Sequence, residues 1–212
     1  MKAPPLLPLL LPLFWFLPWH GWLLPLPSWA PPEHPLIAIE ERVYRNTDPE
    51  GYLRFIEVTR VHGVEIRATD KASSWFAALP DFMRGARMFV WDTPTIWING
   101  SVWTSDPGKT VSVIEHELVH VLSRWHPEEL LQREGIAGPA VDIADWRTWA
   151  EQEVYAANVQ LRVAKRLGSP DGVNFALYVA RVQMESMGPT RRARFLEAYD
   201  WWLDPQITQD WK

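Results

Sequence analysis

Three of the chain's six histidines fall within "SVIEHELVHVLSRWH", residues 112–126. His116 and His120 are four positions apart, so on a helix their imidazoles project from one face and can share a metal ion. Glu117 lies about 100° round the axis from His116. A carboxylate there reaches a metal-held water without displacing a ligand. Two ligands and one base are what metal-assisted hydrolysis requires. Val113, Ile114, Leu118, Val119, Val121 and Leu122 surround these three residues with apolar side chains. A helix so apolar cannot bury two histidines and a glutamate without a large penalty unless something satisfies them.

The stretch "VIEHELVHVL" resembles the signature helix of the zincin metallopeptidases: His116-Glu117-x-x-His120 flanked by apolar residues. The resemblance is specific over Val113–Leu122. It implies Zn2+ held by His116 and His120, Glu117 as general base, and a peptide or protein substrate. It also implies a strand ahead of the helix, within Thr95–Trp103, that binds substrate by edge pairing.

Catalytic zinc takes three protein ligands and a water. The third is open among His126, Asp142, Asp145, Glu151 and Glu153. His126 matches the spacing HExxHxxGxxH of the metzincins. Ser123, however, stands where that family has the glycine that turns the chain out of the helix. Ser186-Met187-Gly188, the nearest thing to a methionine turn, looks like a helix end. At the end of a helix before Pro127, His126 is equally a dipole-favoured terminal residue.

"DWRTWAEQEVYAANVQLRVAKRLG", residues 145–168, is a second long helical segment. Its apolar stripe runs through Trp146, Trp149, Ala150, Ala157, Leu161 and Ala164 and includes Glu153. Glu151 falls about 200° away and cannot share that face. A carboxylate on a buried stripe needs a compensating charge, and a zinc ion is one. Glu153-x-x-Ala156 resembles the ExxA pattern that carries the third ligand in gluzincins. The acidic or Asn residue expected after that alanine is absent, since Ala157 stands there. The expected metal set is His116, His120 and Glu153. An oxyanion donor, usually Tyr, His or Arg in zincins, is open among Tyr155, Tyr178, Tyr199 and His62. His62 by itself reads as a solvated turn residue.

Composition narrows the rest. The 212 residues carry a net charge of −5 with no long basic run, which argues against nucleic acid as a partner. Cysteine is absent, so any metal must be held by His, Asp or Glu. Residues 1–33 form an apolar Pro/Leu/Trp-rich arm in which Lys2 is the one lysine and there is no arginine. The arm reads as a signal, a membrane anchor or a packing arm against protein, and gives an expectation of a membrane-associated or secreted chain. Its many prolines break a regular span.

In the body, residues 34–212, "LRFIEVTRVHGVEIRAT" reads as a hairpin turning at His62-Gly63. Lys71–Met83 reads as a short helix, "ARMFVW" and "TIWINGSVW" as strands, and Asp106-Pro107-Gly108 as a turn. Thr110–Arg124 is helical, and three helices follow, the second capped by Ser169 and opened by Pro170. The expectation is an α+β domain: a small mixed sheet, the signature helix, then a C-terminal helical subdomain. A different class stays open at this point. The chain could be a non-catalytic structural or assembly protein that keeps such a fold as a scaffold.

Overall fold

The computed structural model describes residues 35–69, 85–91, 93–100, 104–136 and 149–211. The described residues form an α+β unit, mostly helical, with one three-stranded sheet. The apolar arm 1–33 and the helix expected over Lys71–Met83 lie outside the described residues. Among the described residues, no helix is long and apolar enough to cross a membrane.

Two helices come first, α1 (Pro35–Thr47) and α2 (Pro49–His62). Here the expected hairpin is wrong. Its first arm is the second half of α2, and only its second arm is a strand, β1 (Glu65–Thr69). Alternation around Ile56 and Val58 suggested a strand. The buried set Tyr52, Phe55, Ile56 and Thr59 instead recurs at helical spacing. The start signal is Asp48-Pro49, which reads equally well as a turn. Asp48 accepts from the Gly51 backbone N–H at 3.0 Å, and Pro49 occupies the first helical position. Gly63 ends the helix with φ 63°, a conformation glycine adopts at no steric cost.

β2 (Met88–Val90) and β3 (Thr95–Asn99) lie where the aromatic and β-branched runs place them. The sheet order is β1-β3-β2, with β1 parallel and β2 antiparallel to β3. β3 is therefore the central strand, and its ladder bonds are taken on both sides. The expectation that the segment from Thr95 offers an edge to substrate is corrected: β2, not β3, is the edge strand on that side.

The signature helix is α3 (Pro107–Trp125). The expected turn at Asp106-Pro107-Gly108 is its cap, with Asp106 accepting from Lys109 N–H at 3.1 Å. Nearly every residue from Gly108 to Leu122 is buried, so α3 is the core around which the other elements pack. The sequence reading missed α4 (Pro127–Glu134), a short helix that opens directly after α3 ends.

α5 (Trp149–Arg166), α6 (Pro170–Ser186), α7 (Pro189–Tyr199) and the single turn α8 (Pro205–Thr208) complete the fold. Ser169 caps α6 as expected, accepting from Gly172 N–H at 3.0 Å. α5 runs antiparallel to α3. Ser169, just past the end of α5, donates to Asp106 at the start of α3 at 2.6 Å. Near its own start, α5 meets the middle of α3. The start of α6 approaches both helices closely, which Gly172 allows. A Cβ on Gly172 would stand 2.7 Å from Ser169 Oγ, 2.9 Å from Ala164 Cβ and 3.2 Å from Ser112 Oγ.

Candidate metal centre

Helix α3 presents His116 and His120 on one face, and antiparallel α5 brings Glu153 against them. The Nε2 atoms of the two histidines stand 3.1 Å apart. Glu153 Oε2 is 3.4 Å from His116 Nε2, and Oε1 is 3.2 Å from His120 Nε2. All three residues are buried. Ligand atoms about 2.0–2.1 Å from a zinc ion in tetrahedral geometry are separated by roughly 3.3 Å. The observed separations match that edge length, so this group could hold a metal ion with its donors already in place.

The electrostatics match the geometry. Burial acts to raise the Glu153 carboxyl, and the two histidines more than offset it, holding it well below the usual carboxylate range. Burial acts to lower His120, but Glu153 prevails and its pKa ends up raised. Each group favours the charged form of its neighbour, the condition under which a cation can replace a proton. Trp149, at the start of α5, stacks on the His120 ring with centroids 5.7 Å apart and planes within 4°. His116 Nδ1 is buried with no hydrogen-bond partner among the described residues. The residue that would orient this imidazole is therefore unassigned, in keeping with the missing acidic residue after Ala156.

Glu117 is buried beside this group and is not one of its three donors. Burial pushes its carboxyl up to about 7 and Glu153 adds to the rise, against His116, His120 and a hydrogen bond from the Val90 backbone. One residue before His116, about 100° round α3, Glu115 is buried and accepts from the Tyr44 hydroxyl and the Arg133 guanidinium. This anchor joins α1 and α4 to the helix that carries the histidines.

The other expected candidates separate cleanly. α3 runs straight through Ser123, whose hydroxyl bonds back to the His120 carbonyl at 3.1 Å. His126 caps the helix and packs on His62, which also lies 3.5 Å from Glu129. Neither histidine belongs to the metal group, and His62 is not the solvated turn residue its sequence suggested. Glu151, about 200° round α5 from Glu153, is largely buried and pairs with Arg191 at 2.6 Å, away from the metal group. Asp142 and Asp145 lie outside the described residues. Tyr155 stacks on Trp202 at 4.0 Å with Tyr199 edge-on, both in the core. Of the four oxyanion candidates, Tyr178 on α6 lines the space in front of the metal group.

That space is a cavity of about 750 Å³. β2, α3, α5 and α6 enclose it, and His116, His120, Glu117 and Glu153 lie in its wall. Its lining is predominantly apolar, including Phe89, Val113, Phe175 and Val182. Gln160 also lines it, a residue the sequence reading did not single out. Compared with family models, with curated proteins and with solved structures, the chain matches none.

Proposed function

We propose that the chain is a zinc-dependent metallopeptidase with His116, His120 and Glu153 as ligands and Glu117 as general base. One observation carries this reading. A three-donor group of zinc-edge dimensions shares its cavity wall with a second buried carboxyl, Glu117, that the donor set does not use. A structural zinc has no need of that carboxyl; a hydrolytic one does.

Bound there, zinc supplies Lewis acidity toward a carbonyl oxygen and a water acidified toward neutrality. The chain's own residues do the rest. Glu117 accepts the proton of the attacking water and delivers it to the leaving amine. Val90 of edge strand β2 lies beside the Glu117 carboxylate. A peptide laid along β2 would pair with that strand and place a scissile carbonyl above the three donors. Tyr178 is the candidate donor to the oxyanion. The apolar walls lower the local polarity, which strengthens each of these interactions.

The test is Glu117→Gln. It should retain one zinc per chain and the fold while losing peptide hydrolysis by two or more orders of magnitude. Equal hydrolysis by wild type and variant sinks the base assignment. Zinc binding with no hydrolysis of any peptide by wild type leaves a metal-stabilised scaffold as the better account.

A further inference from the structure

Gln160 is fully buried, lines the metal cavity, and among the described residues neither its amide oxygen nor its amide nitrogen has a hydrogen-bond partner. A buried amide left with both functions unmade costs several kilocalories per mole by transfer scales. Such a group in a cavity wall marks a place where something polar binds. It lies about two helical turns after Glu153 on α5, roughly 10 Å along the axis.

Lys109 lines the same cavity. It lies about two turns before His116 on α3, again roughly 10 Å along the axis. Because α3 and α5 run antiparallel, the two displacements point the same way. Among the described residues the Lys109 ammonium meets no carboxylate; it sits 4.9 Å from the Phe175 ring centroid. The other cation in the lining, Arg87, is committed to Glu40. Between this end and the metal group the wall is apolar, with Val113 and Val179.

The cavity is therefore polar at both ends. We infer that Gln160 and Lys109 form a second anchor that receives a carboxylate of the ligand, with an apolar group spanning the stretch to the metal centre. An ammonium and an amide N–H are both donors, so together they fit an anion and disfavour a cation. At about 3.3 Å per extended residue, 10 Å is roughly three residues, less the reach of the lysine side chain. The carboxylate is thus the carboxyl terminus of a short peptide tail beyond the scissile bond, or an acidic side chain within that tail. This assignment rests on the metallopeptidase reading for the direction of the peptide.

Binding separates it from that reading. Three succinyl hydroxamates, ending in Phe as free acid, Phe as amide, or Glu as C-terminal amide, are titrated into the zinc-loaded full chain carrying Glu117→Gln. Either the free acid or the Glu amide should bind about tenfold or more tighter than the Phe amide, a factor one bond to a charged group provides. Which of the two gains tells the terminal carboxylate from the side chain. Lys109→Met, at a partly exposed position, should bring all three to equal affinity with zinc content unchanged. Gln160→Met, checked for retained fold by circular dichroism, should weaken the carboxylate probes alone. Equal binding of the three by the unaltered site, a preference that survives Lys109→Met, or no binding of any probe overturns the inference. A carboxylate preference in a chain that cleaves no peptide keeps the anchor and removes the hydrolase.

Discussion

Glu153 Oε1 stands 3.2 Å from His120 Nε2, joining two helices that the sequence separates by an entire additional helix. Two imidazoles and a carboxylate fixed at these separations are held ready for a cation, and the protein should be more stable with it. One zinc per chain is expected. At free zinc a hundredfold above its dissociation constant, binding to the folded state adds about 2.7 kcal/mol. Chelation should lower the melting temperature accordingly. Glu153→Ala should abolish most of that shift and weaken zinc binding by at least tenfold. A chelator-insensitive melting temperature together with absent zinc in wild type would remove the metal centre.

His126 and Glu151 are the controls. The first is stacked on His62 and the second is paired with Arg191, so neither touches the three donors. His126→Ala and Glu151→Ala should each leave zinc stoichiometry and affinity unchanged. The Glu151 change should cost about 1 kcal/mol or less in stability, since Arg191 is half-exposed. Loss of zinc in either variant would show that the donor set differs from the one described.

The metal group was legible because helical spacing is a strict geometric rule. Four-residue spacing put His116 and His120 on one face, and the apolar stripe put Glu153 rather than Glu151 toward them. The same rule excluded His126 once α3 was found to pass through Ser123 unbroken. The front of the chain was less legible. Alternation in "LRFIEVTRV" mimics a strand, while the burial of Tyr52 and Phe55 that makes it helical depends on packing against α1 and the core. The sheet order was not readable at all, because which strand lies central is a matter of long-range pairing. Gln160 escaped notice for a related reason: a lone amide acquires meaning only when its neighbours leave it unsatisfied.

Glu115 should prove a structural residue despite sitting next to His116, a proposed metal ligand. It is buried and accepts from both Tyr44 and Arg133. Glu115→Ala removes the acceptor and strands a largely buried guanidinium. The expected loss is about 3–5 kcal/mol, the range for breaking one side of a buried pair. Tyr44→Phe removes only one hydrogen bond and should cost about 1–2 kcal/mol. Urea denaturation of the zinc-free forms measures both. A mild Glu115→Ala would mean that the pair is not what secures α3 to α1 and α4.

Asp48 should make stability depend on pH at the acid end. It caps α2 through Gly51 N–H at 3.0 Å and pairs with Arg166, the last residue of α5, at 2.6 Å. Burial acts to raise its carboxyl, but the Arg166 bond and the Gly51 N–H prevail and its pKa is lowered. A carboxyl with a depressed folded-state pKa favours the folded state once it is ionised in both states. That contribution is complete above the unfolded value, about 3.9, and disappears as pH falls through the lower folded value. Asp48→Asn preserves the cap, because Asn serves there as well as Asp, and removes the charge. At pH 7 the variant should be less stable by about 1 kcal/mol or less, since the Arg166 side chain is half-exposed. The gap between the two proteins should be constant from pH 7 to about pH 5, narrow below about pH 4, and close as the wild-type carboxyl protonates. Chemical denaturation across that range, with zinc absent so that the histidines do not couple to metal release, measures it. A gap that stays constant down to pH 2.5, or widens toward acid, would show that the Asp48 charge is not what links the start of α2 to the end of α5.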